Sequence, residues 1–352
     1  MSRSERKKSG AGYRVLFAIT LIVVLTTLGF TGYLGISASV EGRSAASKFF
    51  DLGIDLFMTG DKYVSEAETL EKVEKRRIAN ENYHISSAYM FLYNFSVAWY
   101  GEVETALFSP VYVDGTPERK TIVYFHGGSY MWQPTILHYR YCRYLADALG
   151  ATVAMPIYPK APNYTYRETL EAMESFYGEF AKNRNVVAFV GDSAGGGLLL
   201  SFAQYLTDRG KDSPDHLITF SPCLDLALDN KNIAQYTAAD PMLNQADLRL
   251  KFSFYADGDL DSPYVSPIYC DYSVLGRWTC FVGTEEILLP DAQKLHDDLV
   301  SKGIDHDFYV YKNQFHTFAI FPIPEADACL NKIKLVLQPE EEKTDPRIMF
   351  AA

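Results

Sequence analysis

Ser193 sits in Gly191-Asp192-Ser193-Ala194-Gly195-Gly196, a G-x-S-x-G pattern between an apolar run ending at Val190 and a stretch of helical character. A hydroxyl becomes a useful nucleophile only when a base takes its proton. This pattern predicts a sharp strand-to-helix turn, with small neighbours at 191 and 195, that lifts the serine above the end of a sheet. The helix that follows aims backbone N–H groups at whatever is bound there. His316, in Asn313-Gln314-Phe315-His316-Thr317-Phe318, follows the last strand-like run and completes the order serine, acid, histidine. A histidine acting as base needs a carboxylate to hold its tautomer and to stabilise the imidazolium. Three acids compete for that role in Gly283-Thr284-Glu285-Glu286-Ile287-Leu288-Leu289-Pro290-Asp291: Glu285, Glu286 and Asp291. His84, His138, His216, His296 and His306 lack such placement and read as structural.

Chemistry at an acyl carbon also needs donors for the developing oxyanion, and preorganised backbone N–H groups serve best. His126-Gly127-Gly128-Ser129 closes the first central strand. Gly127 and Gly128 are therefore expected to donate, together with Ala194. His126, Tyr130 and Trp132 are placed at the substrate pocket, His126 chiefly by shaping the loop, Tyr130 and Trp132 either by lining the pocket or by packing. Neither a metal nor a cofactor is expected. The five cysteines, Cys142, Cys223, Cys270, Cys280 and Cys329, form no C-x-x-C pair. Five is an odd number, which leaves at least one free thiol in a monomer and room for one disulfide. Asp257-Gly258-Asp259-Leu260-Asp261 opens like a calcium loop, but Ser262 and Ile268 stand where glycine and glutamate are required, so it reads as a surface turn.

These residues must be held by a scaffold. Apolar runs at 121–125, 151–155, 186–190, 217–220, 278–282 and 308–311 alternate with helical stretches near 136–149, 166–182, 195–208 and 290–302. That alternation predicts an α/β protein with a mostly parallel sheet flanked by helices, its chemistry beyond the carboxyl ends of the strands. Residues 41–100 read as helical, a cap over the entrance.

The N-terminus carries a different signal. Val15 to Ile36 is an uncharged, mostly apolar run of the length that crosses a bilayer. Arg3, Arg6, Lys7, Lys8 and Arg14 precede it, so the N-terminus is expected in the cytoplasm and the remainder outside. A cleaved signal peptide, cut near Ser37-Ala38-Ser39, is the competing reading. The expected organisation is a basic segment (1–14), a transmembrane signal anchor (15–36), a linker with cap helices (37–103), a catalytic domain (104–338) with a cap insertion near 228–268, and a polar tail (339–352). A formal net charge of −11 argues against nonspecific nucleic-acid binding. Oligomeric state is not legible.

Taken together the motifs resemble the hormone-sensitive-lipase-like family of α/β-hydrolases, which includes bacterial esterases and arylacetamide deacetylases, over about residues 105–337. His126-Gly127-Gly128 matches the family's oxyanion signature. Tyr158-Pro159-Lys160-Ala161-Pro162 is similar to its Tyr-Arg-Leu-Ala-Pro segment, and Ser221-Pro222-Cys223-Leu224-Asp225 to the following strand end. The nucleophile motif is unchanged. Glu286-Ile287-Leu288-Leu289-Pro290-Asp291 aligns with the family's Asp-Pro-Leu-x-Asp-Glu, a register that puts the acid at Glu286, where Asp is commoner. Ser129 stands where the family has a third glycine or another small residue. The resemblance implies an α/β-hydrolase fold and hydrolysis of carboxylic esters with small or medium acyl groups by Ser193, His316 and Glu286. Two alternatives accompany it: an amidase or deacetylase on acetylated surface or xenobiotic substrates, and a ligand-binding protein on an inactive hydrolase scaffold.

Overall fold

The computed structural model describes residues 23–58, 65–111 and 120–338. Side-chain alternation in the central strands explains its layers. In β3 (Lys120–Phe125), Ile122 and Tyr124 enter one buried cluster with Val190, Ile218, Phe220 and Phe281. Val123 and Phe125 enter the other with Phe189, Leu217, Cys280 and Val282. Both faces of the sheet are thus apolar and covered, which is why these strands read as continuous hydrophobic runs.

The sheet has eight strands in the order β1-β2-β4-β3-β5-β6-β7-β8. They are β1 (Ser96–Tyr100), β2 (Val103–Phe108), β3, β4 (Thr152–Pro156), β5 (Asn185–Asp192), β6 (His216–Phe220), β7 (Arg277–Glu285) and β8 (His306–Phe315). β2 runs antiparallel to both β1 and β4, and the pairings from β4 through β8 are parallel. The strand order reverses at β3, whose Phe125 pairs with Gly191 of β5. The loops leaving β3 and β5 therefore diverge from adjacent strand ends, the place where open α/β sheets form a crevice.

Ten helices accompany the sheet among the described residues: α1 (Val23–Glu41), α2 (Ala45–Met58), α3 (Glu66–Glu81), α4 (Ser87–Tyr93), α5 (Ile136–Leu149), α6 (Tyr166–Phe180), α7 (Ser193–Thr207), α8 (Gln245–Ala256), α9 (Leu289–Lys302) and α10 (Pro324–Val336). The capping box of Ser65 and Glu68 starts α3, and Gly150 and Gly303, both at positive φ, end α5 and α9. Thr69 Oγ1 of α3 donates to Asp247 Oδ1 of α8 at 2.9 Å, joining these two helices above the strand ends.

The α/β reading holds, with one correction. The stretch 41–100 is not helical throughout. Residues 96–100 form β1, joined to β2 by Gly101 and Glu102, with Gly101 at φ +56°. Trp99 and Tyr100 thus belong to an edge strand, and the glycine of the tight turn is its signal. All five cysteines are free thiols, so the disulfide left open by composition does not form.

Residues 1–22 and 339–352, with the basic segment, the first part of the apolar run and the polar tail, lie outside the described residues. From Val23 the run is α1, one helix long and apolar enough to cross a membrane by length and composition; a signal sequence passes the same test. Leu25 and Leu28 are exposed, whereas Leu34 and Ala38 pack onto the body. Between α1 and α2, the buried Arg43 side chain meets Glu41, Asp51 and Glu285, and donates to Asn313 O at 2.8 Å. It thereby fastens this segment to the ends of β7 and β8.

Candidate active site

Ser193 is the first residue of α7 and adopts φ +51°, a left-handed conformation that costs a non-glycine residue about 1–3 kcal/mol. The surrounding turn imposes it. A Cβ on Gly195 would collide with Phe125 O and His126 O, and one on Gly191 would lie 2.7 Å from Phe125 O. The glycines of the motif are thus where the β3 and β5 loops touch.

His316 follows β8 and approaches from the other side. Its Nε2 lies 2.9 Å from Ser193 Oγ and its Nδ1 2.7 Å from Glu286 Oε2. Glu286 is fully buried. Its Oε1 accepts from Gly283 N–H and from Ser221 Oγ–H, each at 2.7 Å. Ser221 Oγ in turn accepts from Thr317 N–H at 3.0 Å, which ties the acid to the histidine loop. A carboxylate so engaged accepts the Nδ1 proton and leaves the Nε2 lone pair facing the serine. Burial alone pushes the His316 imidazole down; the hydrogen bond and charge of Glu286, with the charges of Asp240 and Asp192, outweigh it and hold the ring above its ordinary value.

The other two acids point elsewhere. Glu285 faces Arg43 at 3.4 Å, and Asp291 Oδ1 accepts from Asn230 at 2.9 Å.

The glycine loop after β3 is held by Asp192, a residue the sequence reading passed over. Asp192 Oδ1 accepts from Tyr124 OH at 2.6 Å and from Gly127 N–H at 3.0 Å. His138 joins it: Nδ1 accepts from Thr135 N–H at 2.9 Å, so Nε2 carries the proton and faces Asp192 Oδ2 at 3.3 Å. Burial pushes the Asp192 carboxyl up, but His138, Tyr124 and Gly127 overcome this and hold it below its usual value. The Gly127 amide is therefore already committed, which corrects the expectation that it donates to substrate. Among the described residues no acceptor engages the N–H groups of Gly128, Ser129 and Ala194. Ser129 takes φ +52°, a left-handed conformation that glycine adopts without steric cost.

A cavity of about 580 Å³ opens above Ser193 and His316, lined by Trp132, Leu137, Met242, Leu248, Ile320 and Phe321 among others, with α3 and α8 over it. Trp132 lies where the sequence reading put it. Tyr130 does not, and His126 sits behind the cavity wall in the loop it was expected to shape. His126 is fully buried, its ring stacked on Tyr158 at 4.7 Å and its Nδ1 2.7 Å from Gly127 O. Tyr130 is buried and stacked on Tyr255 at 4.0 Å. Both support the loop from behind instead of touching a ligand, because the left-handed residues Ser129 and Tyr130 turn the chain back into the core.

Asp240 also went unnoticed. It is fully buried and accepts from the N–H groups of Met242, Leu243 and Ile287, each at 2.8 Å, linking the α8 approach to the residue after Glu286. Burial pushes its carboxyl up to about 6 against the pull of His316 and the three amides.

With this geometry in view, comparison with known proteins is informative. Residues 122–320 match the model of the α/β-hydrolase fold family. An acetyl-hydrolase of Streptomyces hygroscopicus is 29% identical over 251 residues, which is 70% of this chain and 83% of the relative. An esterase of Acinetobacter venetianus is 27% identical over 220 residues, 60% of this chain and 72% of the relative. A Staphylococcus aureus structure provisionally called an esterase superposes with a TM-score of 0.73 at 26% identity, covering 79% of this chain and 95% of its own. The chain belongs to the α/β-hydrolase fold family. An esterase structure from the bacterial hormone-sensitive lipase family superposes with a TM-score of 0.63 at 22% identity, over 78% of this chain and 98% of its own, and shares the fold.

Proposed function

We propose that this protein is a serine carboxylesterase that cleaves esters of short to medium acyl groups through an acyl-enzyme. The observation that carries the reading is the unbroken line of hydrogen bonds Ser193–His316–Glu286, at 2.9 and 2.7 Å, at the floor of a largely apolar cavity. Esterase and acetyl-hydrolase relatives support it.

In the first step His316 Nε2 takes the Ser193 proton while Oγ attacks the ester carbonyl carbon. The carbonyl oxygen becomes an oxyanion that accepts from the N–H groups of Gly128, Ser129 and Ala194, with Gly127 acting one layer behind through Asp192. The tetrahedral intermediate collapses as His316 returns its proton to the leaving alcohol. Water, deprotonated by the same imidazole, then attacks the acyl-Ser193 carbonyl and releases the acid. Glu286 keeps its hydrogen bond to Nδ1 throughout and stabilises the imidazolium. The protons these steps move come from Ser193 and water and pass through His316.

The helices α3 and α8 act as a cap that shapes the acyl site. The apolar α1 anchors the chain in a membrane with the basic N-terminus in the cytoplasm, a reading supported by five Lys and Arg residues before the apolar run.

The test is hydrolysis of p-nitrophenyl acetate and butyrate by the parent and by Ser193→Ala. Turnover by the parent and a loss of about 10³-fold or more in the variant are expected. A folded parent inactive on both esters, or an active variant, overturns the reading.

A further inference from the structure

The cavity above Ser193 carries a charge opposite to that of the whole chain. The formal net charge is −11, yet four cations, Lys72, Lys75, Arg76 and Lys251, line this cavity against two carboxylates, Asp192 and Asp247. Both carboxylates are engaged: Asp192 as described, and Asp247 by Thr69 and Lys251. Helical periodicity builds the asymmetry. The five glutamates of α3 are all exposed and none lines the cavity. Its inner face is made by Thr69, Lys72, Val73, Arg76 and Asn80, spaced by three or four residues.

Arg76 is the centre of this patch. It is half-buried, and its guanidinium carbon lies 5.2 Å from the centroid of Trp132, a ring that itself lines the cavity. Lys251 Nζ lies 4.3 Å from the same ring. Among the described residues Arg76 has no carboxylate partner and no hydrogen bond. Its planar array of donors is held by the indole yet left unspent on protein acceptors, the arrangement suited to a carboxylate or phosphate. A core-packing role for Trp132 would need no cation, and a solvated helix face would not turn Lys72 and Arg76 inward while Lys75 and Arg77 pair with its glutamates outside.

We propose that the cavity selects esters bearing a second, anionic group, a carboxylate or phosphate, which Arg76 holds with the help of Lys72 and Lys251 while the acyl carbonyl lies at Ser193. The inference rests on the esterase reading above and names its substrate class.

The test compares matched anionic and neutral esters with the full chain in neutral detergent. One pair, 4-acetoxybenzoate and its methyl ester, places the charge on the leaving group. The other, mono(4-nitrophenyl) adipate and 4-nitrophenyl hexanoate, places it on the acyl group. Each kcat/KM is divided by the hydroxide-catalysed rate of the same ester. The anionic member of at least one pair is expected to be favoured about fivefold or more at low ionic strength, with the preference fading near about 0.5 M salt. Arg76→Gln is expected to lower that ratio at least about threefold, and Arg76→Glu to invert it. Turnover of both members without a preference overturns the proposal alone. So does a parallel fall of both rates in the Arg76 variants with the ratio unchanged, which assigns the cations to packing around Trp132. No turnover of any of the four esters overturns the esterase reading and this proposal with it. Vesicles of phosphatidylglycerol and of phosphatidylcholine distinguish the source of the anion. Fatty-acid release from the former alone supports the proposal with a lipid headgroup; selectivity confined to the soluble pairs supports it with a soluble acid.

Discussion

Replacing Glu286 by glutamine tests the geometry of the site more sharply than removing the nucleophile does. The substitution changes one oxygen to an NH2 group within a fully buried side chain. Gly283 N–H can only donate, and at 2.7 Å it demands an oxygen at the position of Oε1. The NH2 group is then forced to the position of Oε2, where it donates to His316 Nδ1 instead of accepting from it. Nε2 must now carry the ring proton and points it at Ser193, so the base is presented in the wrong tautomer. The imidazolium formed in the transition state also loses its counter-charge. Together these effects are expected to lower kcat/KM for p-nitrophenyl butyrate by about 10³- to 10⁴-fold, roughly 4–5 kcal/mol of barrier. Glu286→Asp should recover much of the loss. The acid limb of the residual pH profile gives a second readout. His316 must be neutral to act, and Glu286 helps hold its titration above the ordinary histidine value, so the limb should move to lower pH in the glutamine variant. Glu285→Gln and Asp291→Asn serve as controls, since those acids face Arg43 and Asn230. A glutamine variant retaining about a tenth of parental activity, or an acid limb that moves upward, would refute this account of the acid.

Other consequences can be measured on the same protein. Arg43→Met leaves Glu41, Asp51 and Glu285 clustered with only Lys48 to balance them; a loss of about 3 kcal/mol is expected by denaturant unfolding, shrinking as the pH falls and the carboxylates are protonated. Asp240 holds its proton more tightly in the folded chain, near 6, than its ordinary value of 3.8. Its titration thus contributes stability that is complete below about 3.8 and lost as the pH rises through about 6. The melting-temperature advantage of the parent over Asp240→Asn should therefore be larger at about pH 5 than at about pH 8, and an equal advantage at both would contradict the raised value. Gly195→Ala drives a methyl group into Phe125 O and His126 O and should abolish both soluble expression and activity, whereas Gly178→Ala, with open space around it, should leave both intact.

The sequence disclosed those parts of the site whose chemistry depends on local backbone. The nucleophile turn is legible because sterics restrict the residues at 191 and 195, and the histidine because it follows the last strand. From residue types alone the acid is not, since three carboxylates fall within seven residues of one another; the register of the family resemblance pointed to Glu286, and tertiary direction separates the three. Glu285 turns out to Arg43, Asp291 to Asn230, and Glu286 in to His316. The engagement of the Gly127 N–H was not legible, because it is claimed by Asp192, a side chain from an adjacent strand end whose partner no spacing rule reveals. Tyr130 was misjudged for a similar reason: two successive left-handed residues reverse its direction, and residue type alone does not announce that. The β1–β2 hairpin was hidden because Ser96–Tyr100 is a short apolar run whose residue types suit a helix as well as an edge strand.

The left-handed turn at Ser193 sets stability and activity against one another at one position. Glycine there would relax the backbone and remove the nucleophile in a single change, so an improved fold and a lost reaction arrive together. Selection for thermal resistance alone, in nature or in a library, would drift toward inert proteins at this residue. The serine persists only where each round of selection also counts product.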